Sequence, residues 1–63
     1  MEIEKLRHLL EHWIEHNEEH ISKYVKWAER VEPERPEVSR LILESVELFR
    51  EGNEKLKKLK EMI

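Results

Sequence analysis

Two prolines, Pro33 and Pro36, interrupt a chain whose apolar residues otherwise recur at helical spacing from end to end. Proline lacks a backbone N–H and its ring clashes with the carbonyl four residues back, so no helix runs cleanly through such a segment. Glu32-Pro33-Glu34-Arg35-Pro36 therefore divides the chain. Before it, Ile3, Leu6, Leu10, Trp13/Ile14, Ile21, Tyr24, Ala28 and Val31 fall at three- and four-residue steps, which predicts a helix over about 2–31. After it, Val38, Leu41/Ile42, Ser45, Phe49, Gly52, Leu56, Leu59 and Ile63 predict a second helix over about 36–62. Pro36 suits the first turn of that helix. So short a connection, over 32–36, makes the two helices antiparallel neighbours. The expected fold is all-α, one helical-hairpin domain over residues 1–63.

A break in the second helix can be argued only at Gly52-Asn53, where Asn53 is a fair cap for a third helix. Against this, the apolar line passes Gly52 without changing phase. Mid-helix glycine costs about 1 kcal/mol against alanine, so a packing reason is expected for it. In a hairpin hinged near residue 34, Gly52 falls opposite Asn17, close to His16 and His20, and Ser45 opposite Tyr24. Small residues there are expected to make room for large or polar ones.

The first helix is too widely apolar for one partner. At about 100° per residue, Leu9, Trp27, Asn17 and Val25 extend its less polar arc to roughly 160°. Leu43 and Val46 also point away from the expected core line of the second helix. Chains of about 60 residues bury little core of their own. These features lead to a homodimer in which two hairpins form a four-helix bundle.

Composition removes several functions. No cysteine means no disulfide, no thiolate nucleophile and no thiolate metal site. Fifteen acidic residues, all glutamate, against 12 basic ones give a net charge of −3, which argues against nucleic acid as a partner. No apolar run is long enough for a membrane span and no signal-peptide pattern opens the chain, so a cytoplasmic location is expected. With Gly52 the only glycine, there is no phosphate-cradling loop. Abundant Glu, Lys and Arg without Cys or Gln fits a thermophilic source.

The most specific pattern is a histidine repeat. His8, His12, His16 and His20 are the only histidines, four residues apart, each interval ending in glutamate. Residues four apart stack on a helix, and two neutral imidazoles so placed can reach one ion. Imidazole suits zinc, nickel, copper and cobalt-like ions, and a divalent transition metal, nickel or zinc, is expected here. Glu15 and Glu19, each three residues after a histidine, can ligate or orient the rings. The stripe drifts about 40° per step, carrying it from solvent at His8 into the apolar arc and the packed face at His20.

Two other readings stand beside metal binding: interhelical packing by histidines, and a pH-sensing interface. The HxxEH pattern of inverted zinc proteases occurs three times in overlap. Such enzymes need a distant third ligand and a substrate cleft, so no catalysis is expected. The tryptophans and Tyr24 are expected at the core or an interface. Asn17, on the centre line, is expected to fix register or orient a histidine, with Asn53 its partner across the hairpin or across a dimer. Lys55, Lys57, Lys58 and Lys60 favour a helix C-terminus and read as a solvated face.

The string His12-Trp13-Ile14-Glu15-His16-Asn17-Glu18-Glu19-His20, with Trp27-Ala28 and Asn53-Glu54, resembles a small uncharacterised family of archaeal and bacterial helical domains with an HWIEHN-type signature, associated with nickel-related proteins. That resemblance implies a metal-handling role for His12, His16, His20 and Asn17. Gly52 departs from it, standing where alanine is expected. The function expected from the whole sequence is transition-metal binding through the histidine stripe, with a purely structural dimerisation or protein-interaction hairpin as the alternative.

Overall fold

Both prolines fall in the turn of a hairpin. The computed structural model describes residues 1–63 and contains two helices, α1 over Glu2–Val31 and α2 over Pro36–Met62. Leaving α1, the Glu34 and Arg35 amides both donate to the Val31 carbonyl, at 3.1 and 2.8 Å. Arg35 precedes a proline and is held out of the helical region at φ −139°, ψ 76°. Pro36 then opens α2, where its missing N–H would have had no helical partner anyway. The Arg35 guanidinium binds Glu37 at 3.0 Å and holds that carboxyl below the usual carboxylate range.

The seam between the helices follows seven-residue repeats, the pattern that keeps two helices in contact along their length. In α1 the buried residues are Leu10, Ile14, Ile21 and Ala28, with Asn17, Tyr24 and Val31 half-buried among them. In α2 the buried line is Ser39, Val46 and Asn53, flanked by half-buried Ile42, Leu56 and Lys60. Small Ala28 and Ser39, near the turn, let the helices converge there. At the seam's centre Asn17 Nδ2 donates to Asn53 Oδ1 at 3.0 Å, and Asn53 Nδ2 donates to the Ile14 carbonyl at 3.4 Å. The partner of Asn17 is thus Asn53 across the hairpin.

This pairing corrects the expected register. Asn53, not Gly52, faces Asn17, and the one-residue change turns α2 by about 100° about its axis. Val46, expected off the core line, is 2% exposed, while Phe49, expected in it, is 50% exposed. Ser45 is also exposed and does not make room for Tyr24; its hydroxyl donates to the Leu41 carbonyl at 3.0 Å. The physical reason is that α2 carries apolar residues on two adjacent stripes. Periodicity alone does not say which meets α1, but a half-buried asparagine strongly favours the one that supplies a hydrogen bond. Helix α2 continues without a break through Gly52 and Asn53.

The other flank of the seam is ionic. Lys57 Nζ lies 3.1 Å from Glu18 and 3.3 Å from Glu54, and Lys60 Nζ lies 3.7 Å from Glu11. Glu18 foremost, then Glu54, pushes the Lys57 ammonium above the usual lysine range. A raised lysine contributes stability below its unfolded value and loses it as pH rises through the folded one. These groups are exposed and salt-screened, so their effect is small.

Only seven residues are buried, and the accessible area is 5383 Å². A compact monomer of 7.8 kDa exposes roughly 4,400 Å². The hairpin is a rod, 51 × 15 × 12 Å, with roughly 1,000 Å² more surface than a chain of its mass needs.

Replacing Asn17 alone by leucine removes the donor to a carbonyl oxygen on a 4%-exposed residue. Asn17→Leu should therefore cost about 1–3 kcal/mol in denaturant unfolding. The double variant Asn17→Leu/Asn53→Leu should melt above the wild type and lose a unique register. A single variant as stable as the wild type would show that the pair is not bonded in solution.

Candidate metal centre

The four-residue step places the histidine rings along one side of α1, all exposed, including His20, expected inside the packed face. The seam lies beyond His20, along Asn17, Ile21 and Tyr24. His12 and His16 lie edge to face, centroids 5.7 Å apart at 76°. His16 and His20 are stacked, 4.7 Å apart and within 11° of parallel. The series continues to Tyr24, 6.0 Å from His20, and crosses to Phe49 of α2 at 5.4 Å. The fold thus brings His12, His16 and His20 into one ladder of rings. His8 stands apart, in a shallow groove beside Met1, Glu4, Lys5 and Leu9.

Glu15 and Glu19 do not join the ladder. They line a surface groove with Glu18, Ser22, Lys23 and Lys26. No three His or Glu side chains of the chain converge on a point where they could hold an ion together. One hairpin therefore offers pairs of imidazoles, of which His16 and His20 are the closest.

Beside His20 the two helices leave a recess of about 350 Å³, lined by Asn17, His20, Ile21, Tyr24, Leu48, Phe49, Gly52, Asn53 and Leu56. Apart from His20, none of these residues is basic, and none is a carboxylate. The groove on the opposite flank is lined instead by Glu18, Ile21, Arg50, Asn53, Glu54 and Lys57. The hairpin thus has one charged face and one apolar, aromatic face, and the ladder leads into the latter. Leu41, Leu48 and Phe49 from α2 and Leu9, Trp13 and Trp27 from α1 remain 42–69% exposed. By helical phase all six project to the recess side.

Gly52 lines this recess, but the packing reason expected for it is absent within the chain. A Cβ built there meets nothing within 4 Å. Sequence reasoning missed Leu48 and Leu56 as site neighbours and placed Phe49 in the seam. The signal was present in Leu41, Leu48, Gly52 and Leu59, a second stripe beside the seam.

The comparisons with known proteins agree with one another in extent. Residues 6–63 match the family described as Domain of unknown function (DUF8180). An uncharacterized protein of Archaeoglobus fulgidus is 41% identical over 61 residues, covering 97% of this chain and 98% of that protein. No solved structure matches the chain. No helix is long and apolar enough to cross a membrane.

Because the added methyl meets open space within one chain, Gly52→Ala should stabilise the unpaired hairpin by about 0.5–1 kcal/mol through helix propensity, read by denaturant unfolding at high dilution. A loss of stability would mean that something occupies the recess in solution.

Proposed function

The chain belongs to the DUF8180 family of domains, and on that premise we propose that it is a cytoplasmic, non-catalytic, transition-metal-binding hairpin that pairs into a four-helix bundle. The observation that carries this is the ring ladder, with His16 and His20 stacked at 4.7 Å. Two imidazoles one turn apart reach a common ion after small side-chain rotations, with metal–nitrogen distances of about 2.0–2.1 Å. Nickel or zinc is the ion of choice, since neutral imidazole favours both. The resemblance of His12-Trp13-Ile14-Glu15-His16-Asn17 to an HWIEHN-type signature implies the same metal-handling role. His12 extends the ladder, and His8 is peripheral. Glu15 and Glu19 act from the adjacent flank by offsetting the charge of the bound ion.

The apolar face favours a second reading, a purely structural dimerisation or interaction hairpin with interfacial histidines. The excess exposed area and the six large exposed side chains on that face support pairing whether or not an ion is held.

Titration calorimetry with Ni²⁺ and Zn²⁺ on the untagged chain separates the two. His16 belongs to both ring pairs, so His16→Ala should abolish tight binding. His12→Ala and His20→Ala should weaken it, and His8→Ala should matter least. Only neutral imidazole ligates, so affinity should fall as the solution is acidified. Metal should raise the melting temperature of the wild type, because it binds the folded form. Equal, weak losses from all four variants would leave the structural reading standing.

A further inference from the structure

We infer that the metal site is closed by a second copy of the chain, each copy giving His16 and His20 to one shared ion. The inference rests on the metal-binding reading above and specifies where the missing ligands come from. Zinc in a closed site takes four ligands, and one hairpin brings no more than two together. All four histidines lie on α1, so α2 brings no imidazole to the pair. Around His20, α2 presents Leu48, Phe49, Gly52 and Leu56, none of which ligates, and Asn53, whose amide is already bonded to Asn17 and the Ile14 carbonyl. The remaining ligands must come from outside the hairpin.

The surroundings of the pair say what supplies them. His20 opens onto the uncharged recess, on the face that exposes Trp13, Leu48 and Phe49. The surplus surface of roughly 1,000 Å² matches the roughly 800 Å² that each partner buries in a stable interface. A second copy also explains the mid-helix glycine, since Gly52 leaves open space where a facing side chain can enter. In a two-fold pair the same patch meets itself. With the two-fold axis passing beside His16 and His20, the pair meets its own copy, and four imidazoles surround one ion without any further ligand. The ion then lies between copies, tying metal affinity to dimer affinity.

The test combines calorimetry with Zn²⁺ alone and sedimentation of the full chain, on the wild type and Leu48→Glu. Leu48 is 69% exposed and outside the seam, so the variant should keep its helices by far-ultraviolet circular dichroism while repelling a second copy. Expected are one Zn²⁺ per two wild-type chains, a species of twice the chain mass that chelator weakens, and at least about tenfold weaker binding by monomeric Leu48→Glu, although its histidines are intact. One Zn²⁺ per chain with unchanged affinity in the monomeric variant would overturn the shared site and leave metal binding in place. No binding of Zn²⁺ or Ni²⁺ by the wild type would overturn both. If Leu48→Glu loses its helices, wild-type stoichiometry and mass decide: one ion per dimer supports the shared site, and one ion per chain overturns it.

Discussion

The hydrogen bond from Asn17 to Asn53, 3.0 Å long in an otherwise largely apolar seam, orients everything else on the hairpin. A polar side chain in such a seam is costly unless paired, and only one rotation of α2 about its axis pairs it. That rotation brings Ser39 and Val46 into the seam and turns Ser45, Phe49 and Gly52 outward. Of these, Phe49 and Gly52 line the recess beside His20. An apolar pair at these positions would bury more and specify less, because the two stripes of α2 would then compete for α1 on nearly equal terms.

A seam with five buried apolar side chains, Leu10, Ile14, Ile21, Ala28 and Val46, is a small core for 63 residues. Two helices have only one line of contact, and each leaves most of its surface to solvent. The ion pairs joining Glu18 to Lys57 and Glu11 to Lys60 cover one flank, with the lysine stems lying over seam residues. Nothing comparable covers the other flank, where the rings and leucines are. The asymmetry between the flanks is the main physical reason to regard the hairpin as part of something larger.

The histidine stripe acquires its geometry from a mismatch. A four-residue repeat overshoots one helical turn by about 40°, so the stripe winds round α1. At His8 it borders a groove with Glu4 and Lys5; by His20 it has reached Tyr24 and the edge of the seam. A straight stripe would lie wholly in water or wholly in the seam. The drift sets the last two rings beside the apolar face while keeping them exposed within one chain. The glutamates that follow the histidines are rotated the other way, which is why Glu15 and Glu19 sit among Lys23 and Lys26 instead of with the rings.

The sequence alone determined the two helices, the turn and the antiparallel hairpin, because prolines and apolar spacing act locally and admit few alternatives. It also determined that His12, His16 and His20 share one side of α1, since rise and twist are fixed by the backbone. It left open whether Asn53 bonds within the hairpin, and it misjudged which stripe of α2 meets α1. Leu41, Ser45, Phe49, Gly52 and Leu59 fit helical periodicity as well as Ser39, Val46 and Asn53 do, so spacing carried no preference between them. Tertiary structure decided it, through one side-chain hydrogen bond between residues 36 positions apart. It also opened the recess at Gly52, because that outcome depends on the rotation of one helix against another, which spacing along a single helix does not encode.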